Sequence, residues 1–228
     1  MSGFVSEHAG AEVRVSPNFG PRRDGMRPDM IVLHYTGMQR GEAAEMWLCN
    51  PESEVSSHYI VHEDGRIVQM VREADRAWHA GRSSWRGVTD IEAVIALCAG
   101  ISMRHGVAPE RVLAHSDVAP GRKRDPGEKF PWAALHAAGI GHLVPPAPVR
   151  GGRFLTAGES GEPVEALQSM LALYGYGLEI TGFFDAATQA VVEAFQRHFR
   201  PALVDGVADR STIETLHLLL SALPGRLS

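Results

Sequence analysis

The chain is poor in cysteine. Its 228 residues hold only Cys49 and Cys98, which form neither a CxxC pair nor a zinc-ribbon spacing. Both read as buried helical thiols, with a disulfide between them left open. Long apolar runs are absent too: none approaches the roughly 20 residues that a membrane span needs. The first thirty residues are polar and mixed, without an apolar h-region or a small-residue cleavage site. That favours the cytoplasm, or the periplasm or cell wall if the N-terminus was trimmed or export is unconventional. Excess positive charge is likewise missing. Lys and Arg number 22 against 27 Asp and Glu, and the one basic cluster, Arg122-Lys123-Arg124, is short. No nucleic-acid partner is expected. What is present is an ordinary apolar fraction, 44%. It sits in a chain long enough to bury a core without disulfides, as one large or two unequal domains. A monomer is expected.

Local patterns divide the chain. Met1 to about Pro28 reads as an irregular arm. Met30 to Tyr35 is an apolar run ending in polar residues, which suits a buried strand. A short helix is expected over Glu42 to Cys49. His58–His62 and Arg66–Val71 flank Asp64-Gly65, a two-residue hairpin signal. Thr89 and Glu92 fit a capping box that opens a long helix to about His105. Arg111 to His115 reads as another short strand, and Ser116 to Lys129 as a loop rich in Pro, Gly and charge. The Pro-rich run Val144–Pro148 and Gly151-Gly152 mark a linker. Beyond it, Val164, Leu167, Leu171 and Leu173 lie near helical spacing. Further helices follow at Thr188–Phe199 and Ser211–Ala222, which suggests a compact bundle.

Two of the strands end in histidine, His34 and His115, and Asp125 follows ten residues after the second. A strand end fixes the backbone while the side chain reaches into a cleft. Two imidazoles and one carboxylate make a three-ligand zinc set with a fourth position open to water. Zinc lowers the pKa of such a water towards about 7 and polarises a carbonyl, which equips a site for amide hydrolysis.

The residues around these ligands are more specific than their spacing. Ile31–Thr36, Ser56–Tyr59, Ala77–Gly81, Ser84–Gly87 and Val112–Gly127 occur in the order seen in the zinc-dependent N-acetylmuramoyl-L-alanine amidases related to peptidoglycan recognition proteins. The chain resembles that family over about Pro28 to Trp132. The resemblance implies that His34, His115 and Asp125 bind Zn2+. It implies that Lys123 stabilises the charged tetrahedral intermediate, and that Tyr35, His58, Trp78 and His79 line the groove for peptidoglycan or muropeptides. It also implies an α/β fold, a mixed central sheet flanked by helices.

In one place the chain departs from the pattern. Family members continue after the Trp-Arg-Gly segment with a strand carrying a glutamate, the proposed general base. Here Val88-Thr89-Asp90 runs straight into Ile91-Glu92. Either the segment was removed from an otherwise active design, or the chain is a muropeptide-binding relative with little activity, or Glu92 acts as base. The first is preferred, because a capping-box carboxylate already has a structural role.

After the linker, Val164–Gln168, Leu173–Tyr176, Thr181–Asp185, Val191–Gln196 and Val204–Asp209 resemble the three-helix peptidoglycan-binding module. Leu167, Phe183 and Phe195 are expected in its core, with Gly182 and Gly206 at turns. The expected layout is an amidase domain over 1–143, a linker over 144–157 and a small three-helix C-terminal domain over 158–228. The module is expected to act by raising local concentration at the wall.

Overall fold

The computed structural model describes residues 4–38, 40–78, 91–152 and 154–223. In chain order its elements are strands β1 (Glu12–Val13), β2 (Phe19–Gly20) and β3 (Ile31–Leu33), helix α1 (Gly41–Leu48), strands β4 (Tyr59–Val61), β5 (Ile67–Gln69) and β6 (Arg76–Ala77), helix α2 (Ile91–His105), strand β7 (Val112–Ala114), and helices α3 (His115–Val118), α4 (Trp132–Ala137), α5 (Glu162–Tyr174), α6 (Ala186–Phe199) and α7 (Arg210–Ser221). The class is mixed α/β. Among the described residues the strands form three small sheets, ordered β1-β5-β4, β2-β6 and β3-β7. The chain divides into two compact units, one of Met1–Ile31 and Tyr35–Arg111, the other of Val32–His34 and Val112–Ser228. Thr89, the expected N-cap of α2, lies outside the described residues.

The first unit is built on the hairpin that Asp64-Gly65 signals. Gly65 takes φ +84, and the Asp64 carboxylate accepts the Arg66 N–H at 3.0 Å. The turn sets Tyr59 opposite Gln69 and Ile60 opposite Val68. On the far edge β1 pairs parallel with β5, Glu12 against Val68. The N-terminal arm, expected to be irregular, therefore supplies β1 and β2, the latter antiparallel to β6. Two-residue strands carry no periodicity that a sequence can display. The core gathers Ala44, Ile60, Val68, Met70, Val71 and Ala77, with Cys49 half-buried at its margin. Helix α1 starts on Gly41 because a Cβ there would lie 2.4 Å from His62 Nδ1. Cys49 and Cys98 are both free thiols, and burial pushes the Cys98 thiol up to about 12.

In the second unit β3 pairs with β7, and the chain passes from β7 directly into the single turn α3. The segment expected to be loop from Ser116 thus opens with a helical turn. Asp117 drives this by accepting the Ala114 N–H at 2.8 Å, which satisfies a donor the turn would otherwise orphan.

The C-terminal helices repeat one device. The Gln168 amide oxygen of α5 accepts the N–H groups of Thr181 and Gly182, and its NH2 donates to Phe183 O and Thr188 Oγ1. Gln196 of α6 does the same one helix later, accepting from Asp205 and Gly206 and donating to Val207 O and Thr212 Oγ1. Each following helix is N-capped by an aspartate, Asp185 or Asp209, which accepts from Thr188 or Thr212. Gly182 and Gly206 hold the two turns at φ +68 and +73. Val164, Leu167, Leu171 and Phe195 are core. Phe183 is a correction: it is 48% exposed, while its neighbour Phe184 is fully buried. Leu173 also faces outward. The Pro-rich run is strapped to α7, since Ala147 donates to Thr215 Oγ1 and accepts from Ser211 Oγ.

Candidate metal centre

His34 follows the last residue of β3, and His115 follows the last residue of β7. Pairing of these strands brings two imidazoles together, with ring centroids 4.2 Å apart. The loop after α3 then returns Asp125 to the same point. It is closed by the Ser116 N–H donating to Asp125 O at 3.0 Å and the Lys123 N–H donating to Ala119 O at 3.1 Å. Asp125 Oδ2 lies 2.9 Å from His115 Nδ1 and 3.3 Å from His34 Nδ1. One ligand atom from each of the three falls within 4.8 Å of the others. Their side chains are 25%, 14% and 8% exposed for His34, His115 and Asp125, so the point where they meet is open on one side.

The electrostatics suit a cation. Burial lowers the His34 pKa below its ordinary 6.5. The hydrogen bond to Asp125 opposes this, and the charges of His115 and Lys123 add to the lowering. Burial works to raise the Asp125 carboxyl, but hydrogen bonds from His115 and His34 outweigh it and hold the group well below the usual range. His34 and Asp125 are therefore unprotonated at neutral pH, the forms that ligate metal. Three lone-pair donors converging on one half-open point fit a divalent ion better than they fit one another. A His2Asp set of this kind matches zinc by ligand type.

The other site residues named from the sequence are distributed differently. Lys123 is half-buried on the loop between His115 and Asp125, close enough for its charge to act on His34. Tyr35, next to His34 in the chain, is half-buried. His58 belongs to the first unit, where its Nε2 lies 3.0 Å from Asp75 O and 3.4 Å from Arg22. Trp78 exchanges hydrogen bonds with Ser56 there and is 37% exposed. His79 lies outside the described residues. Three residues that the sequence reading passed over, Asp117, Tyr176 and His198, are buried in the same unit as the metal trio and hydrogen-bonded together. Asp117 and Tyr176 both stand inside motifs, but Asp117 reads there as part of a loop and nothing in either motif points to the other.

Two family models and several known proteins match the chain. The family model for N-acetylmuramoyl-L-alanine amidase matches residues 24–89, and that for a putative peptidoglycan binding domain matches 160–216. The amidase match ends at residue 89, beside the Val88–Glu92 junction at which the sequence is expected to depart from the family pattern. The N-acetylmuramoyl-L-alanine amidase AmiD of Escherichia coli is 33% identical over 85% of this chain and 83% of its own length. That alignment runs over 234 positions, whereas 85% of 228 residues is about 194, so about 40 positions have no counterpart here. The solved complex of E. coli AmiD superposes with a TM-score of 0.66 at 32% identity, covering 88% of this chain and 92% of that one. AmpDH3 of Pseudomonas aeruginosa superposes at 0.67 with 28% identity, covering 89% and 94%. With a likeness that runs through both halves at this level of identity, the chain belongs to the N-acetylmuramoyl-L-alanine amidase family.

Proposed function

We propose that the chain hydrolyses the amide bond between N-acetylmuramic acid and L-alanine in peptidoglycan or muropeptides, with a zinc ion held by His34, His115 and Asp125. The observation that carries this is the convergence of those three side chains at one half-open point. The AmiD complex, whose ligand is anhydro-N-acetylmuramic acid-L-Ala-D-gamma-Glu-L-Lys, supports a muropeptide substrate. The match to a peptidoglycan binding domain supports engagement of the polymer through residues 158–228, behind an amidase domain over 1–143 and a linker over 144–157.

Zinc bound at this point would supply a Lewis acid for the scissile carbonyl and acidity for a water. His34 and Asp125 stand ready as ligands without giving up a proton first. Lys123 is assigned to the carbonyl oxygen, where negative charge develops as the amide carbon becomes tetrahedral. A fixed cation there binds the transition state better than the ground state. Tyr35, Trp78 and His79 are assigned to the substrate groove. His58 is assigned there as well, although its contacts to Asp75 and Arg22 also support a packing role.

The test is release of L-alanyl peptide from purified muropeptides by the 228-residue chain, with and without a chelator. Chelator-sensitive release is expected. It would also show that a group other than the missing segment's glutamate takes the proton from water. No release from a folded sample with stoichiometric zinc would move the chain to a muropeptide-binding role.

A further inference from the structure

The second unit buries a polar cluster that the metal site does not use. Asp117, only 7% exposed, has both carboxylate oxygens engaged. Oδ2 accepts the Ala114 N–H at 2.8 Å and lies 2.6 Å from His198 Nδ1, while Oδ1 accepts the Tyr176 O–H at 2.8 Å. His198 is 4% exposed and Tyr176 6%. The His198 ring is sandwiched, with Trp132 on one side at 3.7 Å between centroids and Phe199 at 3.8 Å. A buried carboxylate is costly unless donors surround it. Here two of the three donors come from the helical module: Tyr176 just after α5, and His198 on α6.

The position of Asp117 gives the cluster its meaning. It lies two residues after His115, and its bond to the Ala114 N–H fixes the junction between β7 and α3, where the His115 backbone sits. The same turn is tied to the rest of the loop through Ser116 N–H to Asp125 O. Further along, the loop meets α6, where a Cβ on Gly121 would lie 3.2 Å from that of Ala190. Nor is the linker a free tether, because Ala147 is bonded to α7 twice and Leu143 and Val144 pack on the module core. A module acting by local concentration alone leaves these contacts without a purpose.

We propose that the helical module is a positioning element of the metal centre: Tyr176 and His198 hold Asp117, and Asp117 holds the turn that aims His115. The proposal rests on the reading that His34, His115 and Asp125 bind the metal.

Full-length Tyr176→Phe, His198→Ala and His198→Asn test it, with Val192→Ala, in the module core, as a control for stability. The zinc dissociation constant is measured by chelator competition, beside the melting temperature and kcat and KM on a soluble muropeptide. His198→Ala is expected to weaken zinc binding about tenfold, the low end for groups that orient a ligand from outside the coordination shell. Tyr176→Phe should weaken it several-fold, with kcat falling and KM unchanged in both. His198→Asn keeps an N–H near the Nδ1 position and should recover most of the loss. Val192→Ala should lower the melting temperature and leave zinc affinity alone. Zinc binding at wild-type strength in folded Tyr176→Phe and His198→Ala overturns the proposal, and Tyr176→Phe decides alone if His198→Ala does not fold. A wild-type chain that takes up no stoichiometric zinc, or takes it up equally well as Asp125→Ala, overturns the metal reading instead.

Discussion

Glu73 in the first unit and Asp125 in the second are buried alike, each 6% exposed, yet they are surrounded in opposite ways. Glu73 is closed off. Arg104 grips it with two nitrogens, His105 Nε2 lies 2.7 Å away, and the Tyr59 hydroxyl donates at 2.8 Å. A guanidinium never gives up its proton, so this carboxylate is neutralised permanently and leaves nothing for a ligand to do. Among the described residues, the side chains seen to pair with Asp125 are the two imidazoles, whose protons are dispensable, and one of them is kept neutral by burial. Full satisfaction marks a structural carboxylate. A carboxylate whose partners can themselves become ligands marks a site.

Breaking the open cluster should cost function, and breaking the closed one should cost stability. The largest effect is expected for Asp125→Ala: loss of stoichiometric zinc and a fall in muropeptide hydrolysis of at least about a thousandfold, since the Lewis acid goes with the ligand. Metal analysis of the purified variant checks the first part, and wild-type metal content would return Asp125 to a structural role. Next comes Lys123→Ala. Removing a donor to a developing oxyanion costs about 10²–10³ in kcat, and zinc content should stay at one. Glu73→Gln should cost about 1–3 kcal/mol in denaturant unfolding, because Arg104 keeps partial access to water while the buried site loses its charge. Zinc stoichiometry should not change. A metal-free Glu73→Gln protein would show that the two clusters are not the separate things their partners make them.

The parts of the molecule that follow from short-range chemistry were legible in the sequence. Asp64-Gly65 announced the β4–β5 hairpin, and apolar spacing announced α5 with Val164, Leu167 and Leu171 inward. The run into His34 and the one into His115 announced two strand ends. What escaped depends on partners far along the chain. Asp117 finds Tyr176 and His198 at separations of 59 and 81 residues, so inside its motif it reads as a loop charge. Phe183 and Phe184 are chemically identical neighbours, and it takes the Gln168 clamp on the turn, with the backbone bonds of Phe184 to Gly158 and Glu159, to point the second one inward. Strands β1 and β2 are too short for any pattern and exist because β5 and β6 offer free edges.

The smallest expected effect sharpens the comparison through pH. Burial tends to raise the Glu73 carboxyl, but hydrogen bonds from Arg104, His105 and Tyr59 outweigh it and bring the group from 4.5 down to about 2. A folded value below the unfolded one means that the unfolded chain binds the proton first. The stability that Glu73 contributes is therefore complete above pH 4.5 and is lost as pH falls from there towards about 2. Unfolding free energy measured across that window should slope down in the wild type and lose that component of the slope in Glu73→Gln. At Asp125 and His34 the lowered values act on metal affinity. Burial lowers His34 below its ordinary 6.5, so zinc binding should be independent of His34 protonation at and above that pH and weaken only as pH falls through the lowered value. A Glu73→Gln variant that altered the zinc profile, or an Asp125 variant that altered only the acid limb of unfolding, would exchange the roles that the two sets of partners assign.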